Sequence, residues 1–168
     1  MAFCELREVA VTDELAGYLD LAKDDDVARE VGYYILRKME HVGFARLSRP
    51  EKIVGCLTEL EMEVNNGGFH QYYWNSSGDH ALETVDALRS LGAEHTANLL
   101  AAANAVFGGE GPSADREQRG IQLDALGGSA TTRWFELDGA FFEYKDKLSA
   151  LAARFIRDHR ADFTPYEE

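Results

Sequence analysis

The sequence predicts an all-α fold, a single-domain bundle of about seven to eight helices. Apolar residues recur at three- to four-residue spacing along most of the 168-residue chain, which is the spacing of one helix face. Helix-capping residues and glycines interrupt these stretches where helices would begin and end. With 45% hydrophobic residues, the chain also has enough apolar material to bury a core of its own.

Capping signals separate the first three predicted helices. A short helix over residues 12–22 begins with Thr12 as its N-cap, whereas the first ten residues are ambiguous. Asp24 or Asp25 is predicted to cap a long second helix that extends to about residue 46. A third helix begins at residues 48–51, Ser-Arg-Pro-Glu, where a capping box is combined with a proline in the first turn. Its buried stripe consists of Ile53, Leu57, Leu60 and Val64.

The third helix is predicted to end at residues 65–68, Asn-Asn-Gly-Gly, because these residues tolerate left-handed backbone angles. A short aromatic helix over residues 69–74 follows, and then a polar elbow at residues 75–78. Asp79 is predicted to cap the next helix, and Gly92 to close it.

The second half of the chain predicts three further helices. An alanine-rich helix over residues 93–107 is followed by a glycine loop at 108–112 and a modest helix over 115–126, which the glycines at 127–128 end. Helical spacing then continues over residues 132–155, which predicts one final helix that runs into the core.

The domain organisation is expected to have three parts. Residues 1–24 form an N-terminal segment with a short helix, packed on the main domain, and residues 25–163 form the helical domain. Residues 164–168 are expected to be a frayed tail.

Signals of cellular compartment favour a cytoplasmic protein. The two cysteines, Cys4 and Cys56, have no CxxC spacing and are expected to be reduced thiols, with Cys56 in the core. Charged residues within the first eight positions leave no apolar signal segment. No apolar stretch approaches the roughly 20 residues that span a bilayer.

The formal net charge of −13, from 30 acidic and 17 basic residues, disfavours two classes of partner. Nucleic acids are bound chiefly through Lys and Arg that neutralise phosphates. Anionic membrane surfaces attract basic segments for the same reason. The remaining interpretations are a basic protein partner, a cation, or acidity that serves only solubility.

The acidic residues cluster in two places. Residues 13–30 contain seven acidic residues against Lys23 and Arg29, a net charge of −5, and Glu59 and Glu63 lie one turn apart on the third helix. Acidic residues near helix N-termini are explained by the helix dipole, but the others are predicted to be unpaired and to resemble a phosphate backbone. The predicted partner-binding residues are Asp13, Glu14, Asp20, Asp24, Asp25, Asp26, Glu30, Glu59, Glu61 and Glu63.

Residues 61–79 combine amides, aromatics and glycines at unusual density. A structural interpretation assigns the polar side chains to helix ends and the glycines to a close approach of two backbones. A functional interpretation places Glu61, Glu63, His70 and His80 around a cation or polar substrate. In its small-ligand form, the residues facing a pocket are His70, Gln71, Tyr72, Trp74 and Asn75.

Known catalytic and metal-binding patterns are missing from the sequence. It contains no HExxH or paired ExxH motif, no GxSxG elbow and no phosphate-binding glycine loop. His41, His95 and His159 stand alone on different predicted helices. No metal site, cofactor or catalytic residue is therefore predicted.

The run from Glu63 to Asp79, EVNNGGFHQYYWNSSGD, resembles the bacterial DNA-mimic-protein-like domain, together with Leu91-Gly92-Ala93 and the helix from Trp134 to Tyr144. The resemblance covers roughly residues 25–160. It implies an all-helical fold that is commonly dimeric. It also implies an acidic surface that imitates duplex DNA and sequesters a DNA-binding protein such as a transcription factor or nucleoid protein.

Three hypotheses remain open at this stage. The first is an acidic interaction protein that binds a basic DNA-binding protein by imitating the charge of DNA. The second is a small-ligand-binding protein or enzyme with its site at the elbow of residues 65–79. The third is an acidic helical homodimer without mimicry, whose interface is aromatic.

Overall fold

The computed structural model describes residues 14–166. Within this range there are eight α-helices, three short 3-10 helices and no strand, which confirms the predicted all-α fold. In chain order the elements are α1 (14–19), α2 (Asp24–Val42), η1 (Phe44–Arg46), α3 (Arg49–Trp74), η2 (Ser76–His80), α4 (Ala81–Leu91), α5 (Glu94–Ala105), α6 (Arg116–Ala125), α7 (Gly128–Phe141), α8 (Leu148–Asp158) and η3 (Arg160–Asp162). The predicted cap Thr12, the predicted site residue Asp13 and Cys4 lie outside the described residues.

The helices group into two compact units. The first contains residues 14–58 and 148–166, and the second contains residues 59–147. These limits differ from the boundaries after residues 24 and 163 that the sequence suggests, because distant parts of the chain share the first core.

The first unit is built on the packing of α2 against α8. The apolar stripe of α2 is fully buried, as its spacing predicts, and α8 contributes Ala153 and Ile156 to the same core. The α2 residues in this core are Val27, Val31, Tyr34 and Ile35.

The predicted limits of α2 are wrong at both ends. Lys23 occupies the N-cap position and no side chain caps the helix, while the Asp24 carboxylate accepts a hydrogen bond from Arg157 Nη1 at 2.6 Å. At the other end α2 stops at Val42 because Gly43 has a φ of 84°, and the chain continues as the 3-10 turn η1.

The capping box that the sequence predicts at the start of α3 is confirmed. Glu51 N donates to Ser48 Oγ at 3.2 Å, and Ser48 N donates to Glu51 Oε2 at 2.9 Å. The other carboxylate oxygen of Glu51 accepts from Lys38 Nζ at 2.6 Å and from Thr164 N at 3.0 Å. Lys38 Nζ also donates to the carbonyl oxygen of Thr164 at 2.7 Å. This buried ion pair therefore joins α2, α3 and the segment after η3.

The segment after η3 also has aromatic contacts. The Tyr166 ring lies 5.5 Å from the ring of Tyr34 and 5.5 Å from that of His41. Thr164 and Tyr166, which belong to the tail expected to fray, are thus in contact with α2, whereas residues 167–168 lie outside the described part of the chain.

The second unit is built around the second half of α3. Its Phe69, Tyr72 and Tyr73 are fully buried, α4 packs against α5, and α5 packs against α7. Tyr73 Oη donates to Asn104 Oδ1 at 2.6 Å, and the Tyr73 ring stacks on Trp134 at 5.3 Å. The aromatic helix predicted from residue 69 is confirmed as the part of α3 that follows a kink at Gly67 and Gly68.

In the second unit the predicted limits of α6 agree with its caps Asp115 and Leu126, but one predicted cap is wrong and the glycines predicted to end α6 begin the next helix. Asp79 does not cap α4, whose N-cap His80 has no side-chain cap bond, because the Asp79 carboxylate binds Arg119 instead. The glycines at 127–128 begin α7, while α6 ends with Leu126 as its C-cap.

The single helix predicted over residues 132–155 is also wrong, because it is divided into α7 and α8. Tyr144, between them, has a φ of 46°. Asp146 in the same connection accepts hydrogen bonds from Thr96 N at 2.8 Å and Thr96 Oγ1 at 2.9 Å. The connection therefore supplies a cap to the first turn of α5, which a continuous helix could not provide.

No helix within residues 14–166 combines the length and apolar character needed to cross a membrane.

Candidate interaction surface

Most of the predicted partner-binding carboxylates of the first unit have cationic partners. Of the six described members, five form ion pairs with arginines and Asp25 forms none. The pairs are Glu14 with Arg37 at 2.9 Å, Asp20 with Arg160 at 2.8 Å, Asp24 with Arg157 at 2.6 Å, Asp26 with Arg29 at 2.9 Å, and Glu30 with Arg29 at 3.0 Å. The expectation of unpaired carboxylates away from the helix N-terminus is therefore wrong for Glu14, Asp20 and Glu30.

The arginines cancel most of the local charge of this stretch. Six carboxylates between residues 14 and 30 face Lys23 and the four paired arginines, which leaves a formal charge of −1. Exposed ion pairs of this kind add little stability, but they remove the local field that a basic partner would meet.

The three predicted carboxylates on α3 are partly buried. Burial raises the pKa of Glu61. Glu63 Oε2 accepts from Gln71 Nε2 at 2.7 Å and from Asn75 Nδ2 at 2.8 Å, so it is occupied by amides of its own unit. Glu59 Oε2 is buried without a hydrogen-bond partner. Burial raises the pKa of Glu59 to about 7, and the nearby carboxylates of Glu63 and Asp79 add to the shift.

The Asn-Gly-Gly-Phe signature forms the kink in α3. Gly68 has a φ of 72° and a ψ of −173°, a conformation essentially restricted to glycine. A β-carbon at this position would overlap the Asp138 carboxylate of α7, which accepts from Phe69 N at 2.8 Å. The glycine thus lets a side chain of a neighbouring helix cap the second half of α3, whereas the structural interpretation of this motif expected caps from the motif's own polar side chains and a close approach of two backbones.

The five residues predicted to face one pocket lie in different environments. Tyr72 is fully buried and its hydroxyl donates to Thr84 Oγ1 at 3.2 Å. His70 is exposed and stacks on Trp74, which is 52% exposed, at 6.3 Å. Gln71 and Asn75 turn instead toward Glu63. The structure therefore does not bring this set together around one point.

Arg119 of α6 fixes the polar elbow that follows α3. Its guanidinium is fully buried and donates to the carbonyl oxygens of Tyr73 at 2.7 Å and Asn75 at 2.9 Å. It also donates to Asp79 Oδ1 at 2.5 Å and to Ser113 O at 2.6 Å. The Asn-Ser-Ser-Gly-Asp part of the signature is thus a docking point for an arginine of the same unit.

No group of three or more His, Cys, Asp or Glu side chains within residues 14–166 is arranged to hold a metal ion.

The surplus negative charge lies mainly in the second unit. Residues 59–147 contain fifteen acidic and six basic residues, a formal charge of −9 out of the total of −13. Five exposed carboxylates in this unit have no ion pair or hydrogen bond among the described residues: Glu83, Glu94, Glu110, Glu117 and Asp124. None of them belongs to the two clusters of acidic residues predicted from the sequence. The net charge summed over residues 59–147 is a sequence property that could have indicated this region.

Four of these carboxylates come from segments that touch one another. Glu117 and Asp124 lie seven residues apart on α6, so they share a face with about 10 Å of axial separation. Gln122 Nε2 donates to Gly111 O at 3.1 Å, which ties the loop carrying Glu110 to α6. A β-carbon at Gly111 would lie 3.2 Å from Leu82 Cδ2, so the same loop lies against the first turn of α4, next to Glu83. We call Glu83, Glu110, Glu117 and Asp124 the acidic face.

Two large apolar side chains are exposed beside these carboxylates. Leu82, which precedes Glu83, is 53% exposed, and Ile121, between Glu117 and Asp124 on α6, is 58% exposed. An apolar side chain within a charged surface is a common feature of protein interfaces.

No curated protein and no solved structure matches the chain. One family model, described as DMP19-like protein, matches residues 45–159, which is more than half of the chain. The match includes the kinked second half of α3, the Arg119 docking point and all four residues of the acidic face. The chain therefore belongs to the DMP19-like protein family.

Proposed function

We propose that this protein binds a basic DNA-binding protein and that its acidic face takes the place of DNA phosphates. Carboxylates on short, packed helices offer fixed negative charges to a surface that is shaped to receive a phosphate backbone. Such binding occupies the DNA site of the partner and so keeps the partner from DNA.

The main observation behind this proposal is that the two units differ in how many of their charged side chains lack an ion pair. In the second unit five exposed carboxylates lack a cationic partner, against two unpaired cations, Arg116 and Lys147. In the described part of the first unit, four unpaired carboxylates stand against five unpaired cations. A basic partner would therefore be attracted to the second unit, whereas the acidic stretch of residues 14–30 is largely neutralised.

Membership of the DMP19-like family is compatible with this role. Leu82 and Ile121 would add apolar contact at the centre of the interface, where buried anchors contribute most of the binding energy. Acidity that serves only solubility needs no exposed apolar groups beside the carboxylates, so these two side chains support the proposal.

The test is a matched pair of charge-neutralised variants. One variant carries Glu83→Gln, Glu110→Gln, Glu117→Gln and Asp124→Asn in the acidic face. The control carries Glu14→Gln, Asp20→Asn, Asp24→Asn and Glu30→Gln, which removes the same number of charges from the paired stretch. Each immobilised protein is exposed to a bacterial extract at about 50 mM and about 300 mM salt, with and without added duplex DNA.

The proposal expects a DNA-binding protein that binds wild type and control at low salt, is released at high salt, and is displaced by duplex DNA. Retention should fall at least about tenfold for the acidic-face variant, since several charge contacts are lost together. Equal retention by both variants, or retention that neither salt nor DNA reduces, would overturn the proposal. Circular dichroism of both variants confirms that each is folded.

A further inference from the structure

Glu59 in the second unit lies close to two other carboxylates, those of Glu63 and Asp79. Glu59 and Glu63 are one turn apart on α3, and Asp79 belongs to η2. The charges that act on Glu59 come from Glu63 on its own helix and from Asp79 on the neighbouring element. Asp79 is bound by Arg119 of α6, whereas Glu59 Oε2 is buried and has no donor.

Glu63 also bridges the kink in α3. It precedes Gly67 and Gly68, and both of its amide donors, Gln71 and Asn75, follow them. The Gln71 side chain folds back over Gly67, where a β-carbon would overlap it. The two hydrogen bonds to Glu63 therefore hold the two halves of α3 at the angle seen in the structure.

We propose that Glu59, Glu63 and Asp79 form a proton-operated latch on the α3 kink, closed when Glu59 carries a proton and loosened when Glu59 is ionised. In the closed state the neutral Glu59 leaves Glu63 free to hold Gln71 and Asn75. In the open state an uncompensated buried charge stands beside Glu63 and repels it, which weakens both amide bonds across the kink. This inference concerns the internal switch and does not depend on the proposed function.

The direction of the pH dependence follows from burial. Because burial raises the pKa of Glu59 to about 7, the folded protein holds a proton between about pH 4.5 and pH 7 that the unfolded chain has already lost. Glu59 thus contributes stability that is fully present below its ordinary pKa of about 4.5 and is lost as pH rises through about 7. The latch should be closed in mildly acidic solution and open in mildly alkaline solution.

The side-chain amide resonances of Gln71 and Asn75 report the latch directly. In the wild-type protein, both sets of resonances should shift with a common midpoint near pH 7 when the pH is raised from about 5.5 to about 8.5. In Glu59→Gln, which imitates the protonated group, both should stay constant over this range. The melting temperature of this variant should exceed that of wild type by more at about pH 8.5 than at about pH 5.5, because the ionisation of Glu59 costs wild type stability as pH rises from about 4.5 to about 7.

Two histidines are sequence neighbours of these groups, and histidine is the side chain that ordinarily changes charge between about pH 5 and 8, so each needs its own control. His70 precedes Gln71 and His80 follows Asp79. His70→Gln and His80→Gln should each leave the midpoint near pH 7 in place. A midpoint below about pH 5, an unchanged titration in Glu59→Gln, or loss of the titration in either histidine variant would overturn the proposal.

Discussion

The side chain of Glu51 has two roles, one for each oxygen of its carboxylate. One oxygen completes the capping box with Ser48, and the other accepts from Lys38 and from the backbone of Thr164. Both members of the ion pair are almost fully removed from solvent, Lys38 at 5% exposure and Glu51 at 0%. Removing one partner of such a pair leaves a buried charge without compensation, which costs far more than the loss of a surface pair.

Substituting Lys38 tests how much the buried ion pair with Glu51 contributes to stability. Lys38→Met should reduce the free energy of unfolding by about 3–5 kcal/mol, as measured by urea denaturation followed by fluorescence. The matched control is Lys23→Met, because Lys23 is exposed and forms no ion pair among the described residues. If both variants lose a similar free energy of unfolding, the buried charge of Glu51 is compensated by Ser48 and Thr164 alone and does not need Lys38.

At the scale of helices, the ends are fixed partly by local residues and partly by distant ones. The capping box before α3 and the closure of α4 at Gly92 are local, since donor and acceptor lie within one turn. The start of α5 is not, because its Thr96 donates to Asp146, 50 positions away. Asp146 lies in the connection between α7 and α8, and apolar spacing continues through that connection, so the spacing does not reveal the division between the two helices.

The same substitution, glycine to alanine, is predicted to change stability in opposite directions at the kink in α3 and at a site in α7. Gly68→Ala should destabilise the protein by about 1–3 kcal/mol, because alanine resists this backbone conformation and its methyl group overlaps Asp138. Gly139→Ala, in the exposed interior of α7 with free space around it, should stabilise by up to about 1 kcal/mol. Both changes are measured by thermal and urea unfolding. A loss at residue 139 equal to that at residue 68 would show that the kink is not specially constrained.

The sequence predicts the helices better than it predicts the candidate site. Helical spacing and capping residues are local properties, and they place most elements within a few residues of the structure. The pairing of charges is not local: Asp24 meets Arg157, which is 133 positions away, and Glu14 meets Arg37, which is 23 positions away. A search for acidic residues close together in sequence therefore finds the stretch whose charge is neutralised in the folded protein. It does not find the acidic face, because the residues of that face come from three separate segments.

At the scale of the whole molecule, the charge is asymmetric between the two units. A formal charge of −9 on residues 59–147 means that carboxylates repel one another in the folded state. Dissolved ions weaken this repulsion, since the screening length falls from about 30 Å at 0.01 M to about 8 Å at 0.15 M salt. The exposed ion pairs of the first unit lose only a small contribution under the same conditions.

Salt should therefore stabilise the protein. The melting temperature measured by circular dichroism should rise between about 20 mM and about 300 mM sodium chloride, because repulsion outweighs the exposed pairs. The rise should be smaller in the acidic-face variant, which lacks four of the negative charges. A melting temperature that falls with added salt would mean that the surface pairs contribute more than the repulsion costs.

The division of the chain between the units affects how the protein is made. The second unit is one continuous stretch, residues 59–147, and every hydrogen bond described for it that involves a side chain joins residues within that stretch. The first unit needs α8 and Thr164, which the ribosome delivers more than a hundred residues after α2. During translation, residues 59–147 can therefore complete their core before α8 is made. Until α8 packs against it, the apolar stripe of α2 is exposed to chaperones.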